Sequence, residues 1–224
     1  MKKIQKAIAV IGEGITEKYY IESLRGIIPF QVQPKQLNKK ASNLLELDRM
    51  IEKSINDGYD EVYCLIDMDG KEEGKVLTEY TKLKIRYHDK THGKAKDGIK
   101  CKVIFIETER CIELWFLYHF TTIALTRKFN SYSELEGELK KYLPNYEKSE
   151  RYFKSVANLH NALTKKQKPN RSVRQAIKNA QSSIISKNKD VRNHTYSEMH
   201  NLMEVFGIEP DLFKSKPKKS LSPT

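Results

Sequence analysis

Three carboxylates follow two apolar runs in the first seventy residues. Ala7-Ile8-Ala9-Val10-Ile11 leads into Gly12-Glu13-Gly14, and Val62-Tyr63-Cys64-Leu65-Ile66 leads into Asp67-Met68-Asp69-Gly70. A lone glutamate can move a proton, and an Asp-x-Asp pair offers the oxygen ligands that Mg²⁺ (or Mn²⁺) prefers. Three carboxylates converging on one point would repel one another unless a cation neutralised them. A cation that stabilises charge on phosphate oxygens, beside a group that moves a proton, is the equipment of metal-assisted phosphoryl chemistry.

Such residues need rigid elements to bring them together. Apolar runs of five residues bounded by turn residues read as buried strands of a parallel sheet. In open α/β sheets the ligand crevice lies beyond the carboxyl ends of the strands, so Glu13 and the Asp-x-Asp should face one crevice. Between them the sequence predicts a helix over residues 16–27 with Tyr20, Leu24, Ile27 and Ile28 on one face. A short strand over 30–33 is closed by Pro34, and Asn43 with Glu46 can form a capping box. The helix it opens carries the stripe Leu44, Leu47, Ile51 and Ile55. One more helix ends near Tyr87, residues 88–93 read as a loop holding His88 and His92, and 102–106 is a third strong strand.

This order predicts an α/β fold, a doubly wound, mostly parallel sheet with helices on both faces. After Ile112 strand signals stop, and helices are expected over 131–143, 150–165, 172–186 and 196–206, capping a sheet edge. The organisation is thus a core over residues 1–125, a basic helical region over 126–210 packed on it, and a tail over 211–224. The tail has almost no apolar content and should be disordered.

Composition narrows the class. A chain of 224 residues holds one core domain with a smaller appendage. No stretch approaches the roughly 18 apolar residues that span a bilayer, and the first apolar run is too short for a signal sequence, so a cytoplasmic protein without a membrane partner is expected. Cys64, Cys101 and Cys111 form no Cys-x-x-Cys pair and read as reduced, buried thiols. The net charge of +12 is uneven: residues 1–125 carry 21 Lys/Arg against 19 Asp/Glu, and residues 126–224 carry 20 against 10. A one-sided field favours a polyanion, here DNA or RNA. Lys154, Lys165, Lys166, Lys168, Arg171, Arg174 and Lys178 are the expected phosphate contacts.

Gly-Glu-Gly-Ile-Thr-Glu-Lys-Tyr-Tyr over 12–20, Asp67-x-Asp69, and Cys-Ile-Glu-Leu-Trp-Phe-Leu-Tyr-His-Phe over 111–120 together resemble the RloB-like proteins. Tyr146-Glu147-Lys148 and the stretch from Asn193 through His200 to Leu202 add to the resemblance. It implies a Toprim-like domain in a bacterial anti-phage, abortive-infection setting, in which such effectors often work beside an ATPase encoded nearby. It further implies Glu13 as general acid/base, Mg²⁺ held by Asp67 and Asp69 with Glu13 at the same ion, and Glu113 in the site. Glu113 sits in an apolar stretch where a bare carboxylate is expensive to bury, so it needs a partner in any case. Glu17, one turn into the first helix, either supports the site or complements the helix N-terminus. The chain departs from the family at Glu109-Arg110, where Asn-Pro often precedes the cysteine.

The reading that follows is a Mg²⁺-dependent Toprim-like nuclease. The competing one is a non-enzymatic nucleic-acid-binding module of a defence complex, distinguished by the absence of metal dependence. A haloacid-dehalogenase-like phosphatase ranks low, because Asp67-Met68-Asp69-Gly70 follows a later strand and is followed by Lys71. An EF-hand lacks its terminal Glu, Thr78 standing in that place. With no Gly-x-x-x-x-Gly-Lys-Ser/Thr loop, ATP-dependent control would come from a partner.

Overall fold

Ile8 and Val10 enter one apolar core and Ala9 and Ile11 the other, as the two-residue period of a strand requires. Tyr63 and Leu65 repeat this against Val62, Cys64 and Ile66. A sheet whose strands are apolar on both faces must be covered on both. A computed structural model describes residues 6–28, 31–37, 43–93, 98, 100–125, 127–164, 169–189 and 194–208.

The sheet contains β1 (Ala7–Gly12), β2 (Gln31–Gln36), β3 (Glu61–Asp67), β4 (Lys90–His92) and β5 (Cys101–Thr108). Their spatial order is β2-β1-β3-β5-β4, parallel throughout except for the antiparallel edge strand β4. The expected α/β architecture is therefore present. The chain leaves β1 towards β2 and crosses back to β3 on the other side of β1. The strand order thus reverses between β1 and β3, and at such a switch point a crevice opens beyond the strands' carboxyl ends. Glu13 and Asp67 stand there.

One face carries α2 (Asn43–Asn56) and α3 (Gly74–Tyr87), through Leu47, Ile51, Tyr80 and Tyr87. The other carries α1 (Ile15–Leu24) and α4 (Glu113–Tyr118). With them pack α5 (Tyr132–Lys140), α6 (Glu150–Ser155), α7 (Leu159–Thr164), α8 (Pro169–Lys189) and α9 (Met199–Val205). The C-terminal helices pack on α1 and α4 over one sheet face, and the segment before α9 also covers the end of β5, where the Glu109 and Glu198 N–H groups bond to the Tyr196 and Glu107 carbonyls.

Other expectations shift for local reasons. Helix α1 ends at Leu24, where the Ile27 and Ile28 amides turn back to the Leu24 carbonyl, and Ile27 is left 51% exposed. Strand β2 runs through Pro34, because an edge strand has a side where no N–H is needed. Residues 90–92 form strand β4 rather than loop. The helix expected over 150–165 breaks into α6 and α7, with Ala157 in the left-handed region between them (φ 57°). The 211–224 tail lies outside the described residues.

Candidate active site

Gly12 ends β1 because nothing larger fits: a Cβ there would lie 2.3 Å from the Glu17 Cβ. That close approach drops the first turn of α1 onto the strand end. Gly14 caps the helix in extended conformation, and its N–H donates to Glu17 Oε2 at 2.8 Å. Glu17 is 1% exposed, and its Oε1 is buried without a hydrogen-bond partner.

Glu13 projects from the same turn and pairs with Lys71, whose Nζ lies 2.9 and 3.0 Å from its two oxygens. Lys71 Nζ also donates to the Asp67 carbonyl at 2.6 Å, tying the end of β1 to the end of β3. Asp67 Oδ1 accepts from the Ile112 N–H at 3.1 Å, fixing the loop that leads into α4. That loop delivers Glu113 to the first position of α4, fully buried. Glu113 Oε1 accepts from Tyr146 Oη at 2.8 Å and Thr16 Oγ1 at 3.4 Å, with Lys148 Nζ at 3.3 Å. Its Oε2 is buried and unpartnered.

Four carboxyl groups (Glu13, Glu17, Asp67 and Glu113) therefore meet two ammonium groups, Lys71 and Lys148. Burial and the charges of Glu17, Glu13 and Glu113 hold the Asp67 carboxyl well above the usual carboxylate range. Burial, then the Glu113 charge, pushes Glu17 up to about 7. Glu13 is raised by burial against the opposing pull of Lys71. Desolvation disfavours the charge of Lys148, yet Glu113, Asp67 and Glu17 outweigh it and raise its pKa. Burial and Glu113 also push the Cys111 thiol up, so it is no thiolate nucleophile.

Asp69 does not join this group. Its side chain is 52% exposed and pairs with Arg110, whose guanidinium also donates to the Phe129 carbonyl through Nε at 3.1 Å and Nη2 at 2.9 Å. Arg110 sits at φ 66°, a conformation closed to the proline that the family often carries there. The expected trio thus becomes Glu13, Asp67, Glu17 and Glu113, with Asp69 turned to the rim.

Of the expected phosphate contacts, Lys154 and Lys178 are exposed on α6 and α8, and Arg174 is half-buried. Lys165, Lys166 and Lys168 lie outside the described residues, and only the backbone of Arg171 is described, within α8. His119 is a core residue, Nδ1 to Ser172 Oγ at 2.9 Å. His88 accepts the Phe105 N–H at 3.0 Å on the opposite sheet face from α4. Cys64, Cys101 and Cys111 are free and buried.

The sequence profile described as RloB-like protein matches residues 8–206. The chain belongs to the RloB-like family. No curated protein and no solved structure matches it at significant similarity. The match spans every element of the site, from β1 to the loop bearing Tyr146 and Lys148. Lys71 and Lys148 are the members that residue-type reasoning overlooked. Tyr146-Glu147-Lys148 was visible as a motif, whereas nothing about Lys71 beyond its place after Asp-x-Asp-Gly marks it.

Proposed function

We propose that this RloB-like protein is a divalent-metal-dependent nuclease that hydrolyses phosphodiester bonds in DNA or RNA, acting in anti-phage defence beside an ATPase encoded nearby. The observation that carries the reading is the gathering of four carboxyl groups at the β1/β3 switch point, two of which keep a buried, unpartnered oxygen. A structural ion network satisfies its oxygens. This one leaves lone pairs facing inward, and such lone pairs call for a ligand.

The donor set fits Mg²⁺ or Mn²⁺: all hard oxygens, with more negative charge than Lys71 and Lys148 balance. Among the described residues no three such groups surround a common point as the side chains lie. Asp67, Glu17 and Glu113 are the residues that would hold the ion, with Glu13 alongside once released from Lys71. When bound, the ion supplies charge stabilisation of phosphate oxygens and a more acidic water. Glu13, raised by burial against the pull of Lys71, is the group at the strand end that moves the proton. Lys71 holds Glu13 in place and is itself positioned by the Asp67 carbonyl. Tyr146 and Thr16 orient Glu113 by hydrogen bonds to one oxygen, leaving the other free.

A second reading has its own support, because Lys71 and Lys148 partly neutralise the acids without metal. In that case the fold is a nucleic-acid-binding module. The deciding experiment co-expresses the chain with the neighbouring ATPase and compares wild type with Glu13→Gln for toxicity, and for Mg²⁺-dependent cleavage of DNA and RNA. Loss of cleavage in the variant is the expected result. Equal activity of wild type, Glu13→Gln and Asp67→Asn would leave only the binding module.

A further inference from the structure

Asp67 belongs to the acid cluster, and its neighbour Met68 belongs to the opposite side of the sheet. There the surface opens into a cavity of about 1250 Å³. Met68, Leu77, Thr81 and Ile85 give it an apolar wall, carried largely by α3. Glu107, Glu109 and Tyr196 line it beside the end of β5, with Lys84, Lys128 and Lys187 among its cations. Small-molecule clefts are typically about 300–1,000 Å³, mostly apolar, with a few converging polar groups. This one has the room, one apolar wall, and a more highly charged lining than most.

Its two glutamates differ. Glu107 is fully engaged by Tyr80, Lys84, Tyr196 and Lys187. Glu109 is 4% exposed, its backbone N–H is fixed on the Tyr196 carbonyl at 2.8 Å, and its Oε1 has no hydrogen-bond partner. Burial, then the adjacent Glu72 carboxyl, raises it to about 7. Glu72 in turn accepts from Lys128 Nζ at 2.8 Å. Glu72 and Glu109 hydrogen-bond one another and Lys128 already serves Glu72, so Glu109 Oε1 is the acceptor left open, and a ligand edge that brings adjacent N–H donors fits it. The apolar wall calls for a flat body. Among nucleobases only guanine carries two adjacent donors, N1–H and N2–H₂, on its pairing edge.

We propose that this cavity takes a guanine base, with Glu109 Oε1 accepting from its N1–H and N2–H₂ edge and the base lying along Leu77, Thr81 and Ile85. The proposal rests on the nuclease reading for its setting. Asp67 and Met68, or Glu109 and Cys111, are near neighbours in the chain, so a strand whose phosphate reaches the acid cluster can set an adjacent unpaired base across the end of the sheet. The cavity would then select where the strand is cut.

The test is equilibrium binding of GMP, AMP, CMP and UMP to the full chain, by calorimetry, for wild type, Glu109→Gln and Asp67→Asn. GMP should bind more tightly than the other three. Glu109→Gln, which keeps shape and whose fold a thermal melt verifies, should weaken GMP about tenfold or more, in line with one well-formed base contact. Asp67→Asn should leave GMP affinity intact while cleavage is lost. Equal binding of the four nucleotides, no binding, or an unchanged GMP affinity in Glu109→Gln overturns the proposal, whatever cleavage shows. Retained cleavage in Asp67→Asn alongside GMP selectivity would sink the assignment of cleavage to the acid cluster and leave the guanine site standing.

Discussion

Glu107 and Glu113 are both buried carboxylates near the same end of the sheet, yet they are treated in opposite ways. Glu107 faces the α3 side and receives two tyrosine hydroxyls and two lysines. Burial alone would raise its pKa, but Lys84, Tyr80 and Lys187 overcome that and lower it. Glu113 faces the α1 side among Glu13, Glu17 and Asp67, and one of its oxygens has no donor at all. Both regions are costly to desolvate, and only the first is fully compensated. A compensated acid holds the fold together. An uncompensated group of acids stores repulsion that a ligand can relieve, and stored repulsion of that kind clusters where function does.

The sharpest way to break this comparison is to remove one acid from each group and read activity and stability together. Asp67→Asn should lower Mg²⁺-dependent cleavage by at least the ~10²–10⁴ lost with a general acid or base. The same change should raise the melting temperature of the metal-free protein, because it removes a buried acid whose ionisation burial and Glu17, Glu13 and Glu113 all oppose. Loss of activity with loss of stability would place Asp67 in the same structural class as Glu107.

Glu107→Gln should do the reverse, costing stability and sparing metal dependence. Breaking a buried ion pair costs about 3–5 kcal/mol, and Lys84 and Lys187 keep 30% and 21% of their side-chain exposure. A loss of about 2–3 kcal/mol in denaturant unfolding is expected. A neutral effect would mean that the four donors find water as readily as they find Glu107.

The titrations should also run in opposite directions. Glu17 is raised to about 7, so the folded state binds its proton more tightly than the unfolded chain does. Its contribution is present below an unfolded pKa near 4.5 and is lost as pH rises through about 7, on the order of 3 kcal/mol with the opposing pull of Lys148 included. Glu107 is lowered, so its contribution is present above the ordinary carboxylate pKa and lost as pH falls through its folded value. His119 and His160, lowered by burial to about 3 and about 4, add to that acid loss below pH 6.5. Saturating Mg²⁺ should flatten only the decline between pH 4.5 and 7, since the ion binds the deprotonated acids. A decline unchanged by Mg²⁺ would place the ion elsewhere.

The fold was legible because its strands declare themselves. Runs such as 62–66 are apolar on both faces, and the turn residues that bound them mark the carboxyl ends. Glu13 and Asp67 were legible for the same reason. Asp69 was misplaced because a two-residue alternation says which face a side chain takes but not which partner waits there, and Arg110, 41 residues away, reaches it first. Glu17 was ambiguous, since the close approach at Gly12 that seats it depends on how α1 lies on β1. Lys148 and Tyr146 come from the loop after α5, and a long-range arrival of that kind leaves no periodic trace. Lys187 belongs to the basic C-terminal half by sequence, yet it lies 3.3 Å from the centre of the Tyr196 ring, within reach of Glu107.

The smallest expected effect concerns how much of the C-terminal charge still faces outward. Lys154 and Lys178 are exposed, and Lys154 pairs with Glu150 one turn away, a pair worth little in water. Replacing both with Ala should therefore leave the melting temperature nearly unchanged. If they meet phosphates, each removes one counterion-release event. The slope of log affinity against log salt should then fall by about 0.9 per residue on duplex DNA, or about 0.7 on single strands. The intercept at high salt should hardly move, because these contacts position the strand and do not read it. Lys187→Ala should behave differently, costing stability through Glu107 and Tyr196 with no change in slope. If all three substitutions flatten the slope alike, Lys187 is available to nucleic acid after all, and the division between a compensated face and a ligand-seeking one breaks down at α8.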